Sequence, residues 1–207
     1  MSTPVITKYL KTMWRTIRPW IPVVTILLVL RYTGALAGLS ALGNRAVLET
    51  GILDANPDRF AKGKEPFDFD FSVKKTDGTP VDFRMYRGKT VFLNIWATWC
   101  GPCRAEMASI QKLYDAVGND SVTFVMLSID REDATEKVID YIAGKGFTFP
   151  VFIAGELPEQ LQVKMIPSTF IIAPDGTIAY KKSGMADYNT SRFRKFLGEL
   201  STTAVGN

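Results

Sequence analysis

The sequence predicts an α/β domain, a central mixed sheet flanked by helices, preceded by an N-terminal hydrophobic helix. Three observations predict it. First, Val91-Phe92-Leu93-Asn94-Ile95-Trp96-Ala97 is apolar on both faces, as a buried strand of a mostly parallel sheet is. Second, a helical stripe follows it, with Met107, Ile110, Leu113, Tyr114 and Val117 at three- and four-residue spacing, and the succession repeats in Val122–Ile129 and Asp133–Ala143. Third, Pro19 to Leu30 is almost wholly apolar and follows a polar, basic stretch.

Taken in order, residues 1–18 carry Lys8, Lys11, Arg15 and Arg18 and read as a basic flank. Residues 19–42 hold the apolar run, interrupted by Arg31, and then a weaker apolar stretch with Gly34, Gly38 and Ser40. Three readings are open here. A single transmembrane anchor needs about twenty apolar residues and would carry Arg31 near its middle, at about 2.5–3.5 kcal/mol on insertion scales. A cleaved signal peptide would use Ile21–Leu30 as its apolar core and Ala35-Leu36-Ala37 as its cleavage site. A buried or surface helix of the soluble domain is the third. The first two both keep the basic flank in the cytoplasm and export the C-terminal domain. Residues 43–64 read as a spacer, with Asn56-Pro57 as a turn.

The domain itself is expected over 65–202. Phe67–Val73 alternates apolar and polar and predicts a half-buried strand. Asp77-Gly78 predicts a turn and Pro80–Phe83 its return strand, an N-terminal β-hairpin. After the strand Val91–Ala97 comes a helix over Pro102–Val117, then the strand Val122–Ile129. The helix over Asp133–Ala143 is expected to turn Val138, Ile139 and Ile142 inward and to stop at Gly144. Phe149–Ile153 is a short extended piece. Thr169–Ala173 and Thr177–Lys182 predict strands joined by Pro174-Asp175-Gly176, and Asn189–Leu200 a closing helix.

Charge and composition exclude several function classes. Of the net charge of +4, residues 1–64 supply +6 and residues 65–207 supply −2, so the folded part has no basic surface that would suit nucleic acid. Histidine is absent, which removes Ser-His and Cys-His catalysis and most zinc sites. The two cysteines, Cys100 and Cys103, form one C-x-x-C and cannot fill a tetrahedral metal site alone. As a staple so short a loop would contribute only about 2 kcal/mol. Their position is more telling. They sit where a strand ends and a helix begins, with free backbone N–H groups and the helix dipole favouring a thiolate; Pro102 is tolerated in a first helical turn because it has no N–H to satisfy. Cys100, nearer the helix start, is the expected nucleophile, and Cys103 the thiol that closes a disulfide on it.

Trp99-Cys-Gly-Pro-Cys103 at such a junction resembles the thioredoxin superfamily. The longer string Asn94-Ile-Trp-Ala-Thr-Trp-Cys-Gly-Pro-Cys-Arg-Ala-Glu106-Met is similar to its TlpA/ResA-like, membrane-anchored branch, over roughly Pro66 to Leu200. The resemblance implies a thioredoxin-like fold with an inserted β-α element between Cys103 and Pro167. It implies an extracytoplasmic thiol-disulfide oxidoreductase, single-pass in a bacterial cytoplasmic membrane with its domain in the periplasm, and without a cofactor. It implies protein substrates with disulfides, apocytochrome c among them, and a membrane thiol-electron donor of the DsbD/CcdA type. Gly101-Pro102 leans towards a reducing pair. The resemblance also implies a cis Ile166-Pro167 bond lying against the cysteines, with Ile166 offering backbone groups to substrate and Trp99 sharing its docking surface. Many thioredoxins carry a buried aspartate where this chain has Asn94; Glu106, three residues after Cys103 and within about 60° of it on a helix, is the compensating acid, and its plainer reading is a solvated first-turn carboxylate. Gly184 is a further candidate for the same groove. Two alternatives share the fold: a peroxiredoxin-like peroxidase, which wants Thr three residues before its cysteine where Thr98 stands two before, and a copper-handling protein, for which Met165 and Met185 are the available extra ligands.

Overall fold

The computed structural model describes residues 13–32, 54–57, 65–118 and 122–202. The chain falls into two units, Met1–Leu42 and Gly43–Asn207. The first contains helix α1, Ile21–Tyr32, of 12 residues. It runs through Arg31, so the basic residue does not end it. Thr25 donates its hydroxyl to the Ile21 carbonyl, 2.8 Å away, as hydroxyls inside helices do. Among the described residues no helix is long and apolar enough to cross a membrane. Of the predicted span over 19–42, residues 33–42 lie outside the described residues. Lys8 and Lys11, the Ala35-Leu36-Ala37 site and the spacer except residues 54–57 lie outside the described residues.

The second unit is an α/β domain. Its strands are β1 (Glu65–Pro66), β2 (Ser72–Lys75), β3 (Pro80–Asp82), β4 (Thr90–Trp96), β5 (Val122–Ser128), β6 (Val151–Ala154), β7 (Ser168–Ile172) and β8 (Thr177–Ser183). Its helices are α2 (Gly101–Val117), α3 (Thr135–Lys145) and α4 (Ser191–Thr202). The sheet order is β1-β8-β7-β4-β5-β6-β2-β3. β4, β5 and β6 run parallel; β7 is antiparallel to β4, β8 to β7, and the leading hairpin β2-β3 joins beside β6. The mixed sheet, the N-terminal hairpin and the β-α addition between α2 and β7 are thus all present.

Two consecutive crossovers, β4-α2-β5 and β5-α3-β6, step across the sheet in one direction. Right-handed connections then put both helices on one face. Side chains from α2, α3 and α4, such as Met107, Val138 and Phe193, accordingly join a single cluster with Phe92 and Trp96 of β4. The opposite face, with Val91, Leu93 and Ile95, is closed by Phe67, Phe69, Phe83 and Leu161. The sheet is flanked by α-helices on one face and by an aromatic segment on the other.

Several boundaries differ from expectation for local reasons. Phe67 and Phe69 are buried and Asp68 and Asp70 exposed, as the alternation predicts, yet pairing begins only at Ser72. The Asp68 carboxylate accepts from the Asp70 N–H, a turn that competes with strand pairing, and Phe71 stacks on Phe83 at 4.4 Å. Pro80–Asp82 is the return strand, and Asp82 caps a 3-10 turn over Phe83–Tyr86. Helix α3 runs through Gly144 and ends at Gly146, whose φ of +68° lets its N–H reach back to the Ala143 carbonyl. Ile139 faces out, 42% exposed, while Val138 is fully buried.

Candidate active site

Strand β4 delivers the cysteines. Phe92, Asn94 and Trp96 alternate onto the helical face, and the chain then leaves the sheet at Ala97. Asp130 pins that exit. Its carboxylate accepts from the Thr98 N–H at 2.8 Å, the Thr98 hydroxyl at 2.7 Å and the Ser128 hydroxyl at 2.7 Å. Thr98 is thereby committed to Asp130. Trp99 follows, 69% exposed.

Cys100 is the N-cap of α2, in extended backbone conformation, and its sulfur accepts from the Cys103 N–H at 3.2 Å. A cap sulfur facing a free N–H at the positive end of a helix is held where a thiolate is stabilised. Cys100 and Cys103 are joined as a disulfide. Cys100 keeps 6% of its surface and Cys103 none, so the first cysteine is the more accessible, though both are buried. The Ile166 carbonyl oxygen lies 3.9 Å from Cys100 Sγ. The Ile166-Pro167 bond is cis. Gly184, at φ +88°, donates its N–H to the Pro167 carbonyl at 2.8 Å and so borders the same site. Met165 beside Ile166 is exposed.

Glu106 lies on the buried side of α2, with no exposed surface. The solvated first-turn reading is excluded. Its Oε1 accepts from Asn94 Nδ2 at 2.9 Å and its Oε2 from the Ala186 N–H at 3.0 Å. Burial pushes its pKa up to about 8, against the pull of those donors and of Lys182. The network continues sideways. Asn94 Nδ2 also donates to Thr169 Oγ1 at 2.9 Å, and the Tyr188 hydroxyl donates to the same oxygen at 2.8 Å. Asn94 pairs with Thr169 across β4 and β7, and Thr169 with Lys182 across β7 and β8. These three residues therefore form one row on the face beneath α2. Among the described residues no group of three Cys, Asp or Glu side chains is placed to hold a metal ion.

A family model described as the AhpC/TSA family matches residues 67–181. The chain belongs to the AhpC/TSA family. The thiol-disulfide oxidoreductase ResA of Bacillus thuringiensis subsp. konkukian is 32% identical over 116 residues, 55% of this chain and 66% of that protein. Sporulation thiol-disulfide oxidoreductase A of Bacillus subtilis is 30% identical over 117 residues, 55% of this chain and 70% of that protein. The crystal structure of StoA from Bacillus subtilis matches with a TM-score of 0.50 at 27% identity, over 63% of this chain and 95% of that one. The chain spans just under two thirds of the first relative's length. The likeness to the ResA-type branch of the thioredoxin fold is thus met by relatives carrying that name.

In this AhpC/TSA-family chain the fold brings Cys100, Cys103, Ile166 and Pro167 to one place, sets Trp99 at its rim and Glu106 beneath it. Sequence reasoning missed four residues. Asp130 gave a signal only as an acid closing a buried strand. Asn94 was noticed as a missing aspartate, not as the partner of Glu106. Thr169 and Tyr188 gave none, because each looks like an ordinary strand or loop residue until β7 is laid beside β4.

Proposed function

We propose that the chain is a thiol-disulfide oxidoreductase that reduces protein disulfides. The observation that carries this is the Cys100–Cys103 disulfide capping α2 beside the Ile166 carbonyl. In the reduced protein the Cys100 thiolate attacks one sulfur of a substrate disulfide. A Cys100–substrate bond forms, the substrate S–S bond breaks and one substrate thiolate leaves. Cys103 loses its proton, to Glu106 where that carboxyl is ionised, and attacks Cys100, which reforms the Cys100–Cys103 bond and releases the second substrate thiolate. Two electrons pass to the substrate. Ile166 offers its carbonyl to an extended substrate by strand addition, with Trp99 and Pro167 as the apolar rim.

Gly101-Pro102 supports the reducing direction. The basic residues Arg15 and Arg18 before the apolar run support a cytoplasmic N-terminus, an anchor over 19–42 and a domain outside the cytoplasmic membrane. Such a domain draws electrons from a membrane thiol donor of the DsbD/CcdA type and takes exported proteins, apocytochrome c among them, as substrates. A reporter fused after Asn207 is expected to be active only in its exported form; activity of a cytoplasmic reporter would contradict the topology. The commitment of Thr98 to Asp130 sets the site apart from a peroxidase that keeps a threonine beside its cysteine. Insulin reduction with dithiothreitol separates an enzyme from a binding-only protein. A midpoint potential of the pair near about −250 mV or lower supports a reductase, and one near about −120 mV makes it an oxidase.

A further inference from the structure

Glu106 sits in a fully buried site where both of its oxygens are partnered as a carboxylate, and Asn94 is the group that can partner it as an acid. As a carboxylate, Glu106 takes one N–H of Asn94 on Oε1 and the Ala186 backbone N–H on Oε2. The other N–H of Asn94 goes to Thr169 Oγ1, which also accepts from Tyr188. Burial, with Glu106 and Tyr180 nearby, holds the Tyr188 phenol protonated, so Tyr188 remains a donor. Asn94, Glu106, Thr169 and Tyr188 are all buried, so no solvent stands ready to mend a lost bond.

Protonation of Glu106 upsets this arrangement at one atom. The Ala186 N–H is backbone and cannot turn round, so Oε2 stays an acceptor and the proton belongs on Oε1. There it would face Asn94 Nδ2, donor against donor. A half-turn of the Asn94 amide removes the conflict. It places Oδ1, with two lone pairs, where Nδ2 stood with two hydrogens. Oδ1 then accepts from Glu106 and from the Thr169 hydroxyl, which is free to donate because it still accepts from Tyr188.

We propose that Asn94 is a positioning residue whose amide turns over with the protonation of Glu106, donating to the carboxylate and accepting from the acid, with Thr169 reversing its hydroxyl to match. The device keeps both oxygens of Glu106 partnered whether it holds the proton or not. Its use in turnover rests on the reading of Glu106 as proton acceptor for Cys103. The charged and titratable groups around Glu106 are Cys103 one turn earlier on α2, Tyr180 and Lys182 on β8, and Tyr188 beyond it. In the disulfide form Cys103 carries no proton, so Glu106 titrates without a thiol beside it.

The test is an NMR titration of the oxidised, isotope-labelled protein. The Glu106 carboxyl carbon reports the midpoint. Cross-relaxation from the Asn94 side-chain amide protons to the Thr169 methyl and the Tyr188 ring reports which way the amide faces. These cross-peaks are expected above the midpoint and lost below it. In Glu106→Gln they are expected to be absent at every pH, because the glutamine oxygen stays on the Ala186 N–H and its N–H2 requires Oδ1 of Asn94. Cross-peaks that persist through the wild-type titration overturn the proposal, with or without a folded Glu106→Gln. If they switch as expected while the thiol alkylation–pH profiles of reduced wild type and Glu106→Gln superimpose, the amide switch stands and the role of Glu106 as proton acceptor falls.

Discussion

Glu106 holds its proton more tightly in the folded chain than in the unfolded one, and that fixes the sign of a pH effect on stability. Burial raises its pKa from 4.5 to about 8. Between those values the folded state keeps a proton that the unfolded state has lost. The contribution of Glu106 to stability is therefore fullest below its unfolded pKa and is lost as pH rises through about 8. Its slope reaches at most about 1.4 kcal/mol per pH unit. Urea unfolding of the oxidised protein at about pH 5 and about pH 8.5 is expected to show this loss in wild type and its absence in Glu106→Gln. Equal pH dependence in both would mean the carboxyl is not buried as described. Asp130 gives a second prediction at this scale. Asp130→Ala leaves the Thr98 N–H and two hydroxyls without their acceptor, and is expected to cost about 2–4 kcal/mol in the same unfolding assay. A loss within about 0.5 kcal/mol would show that the loop before Cys100 does not depend on it.

Two glycines near the end of helix α3 look alike in the sequence. Gly144 lies inside the helix with nothing near its absent Cβ, and Gly146 ends it in a left-handed conformation. Gly144→Ala is expected to stabilise by about 0.5–1 kcal/mol, because alanine loses less backbone entropy in a helix. Gly146→Ala is expected to destabilise by about 1 kcal/mol or more, because it places a Cβ at positive φ. Thermal melts of both variants check this, and shifts of the same sign would contradict the assignment of the helix end. The same contrast explains what was legible. Elements announced by local periodicity, β4, α2, β5, α4 and the β7-β8 hairpin, end within two residues of where the sequence places them. The cysteine pair at the junction is legible too, since strand, Trp-Cys-Gly-Pro-Cys and helical stripe are contiguous. Phe67–Phe71 departs from expectation because burial alternates there without ladder pairing, a difference made by the Asp68 turn and the contact of Phe71 with Phe83. The Asn94–Thr169–Tyr188 network is illegible because its members are 75 and 19 positions apart and meet only through the register of β4 on β7 and the path of the chain after β8.

Across the whole domain, topology decides where the chemistry can occur. The crossovers of the parallel run β4-β5-β6 put α2 and α3 on one face, where α4 joins them, and α2 begins where β4 ends. The antiparallel return of β7 then lays Ile166 and Pro167 against the same point, and the segment after β8 reaches Glu106 from behind through Ala186. A single sulfur, Cys100 Sγ, is left at the surface end of this arrangement, with Cys103 sealed beneath it. The proposed function gives attack on substrate to Cys100 and release to Cys103. The most direct test is capture of oxidised insulin by single-cysteine variants, read by mass spectrometry under non-reducing conditions. Cys103→Ser is expected to accumulate a mixed disulfide through Cys100, and Cys100→Ser to accumulate none. Equal capture by the two variants, or capture by Cys100→Ser alone, would contradict it.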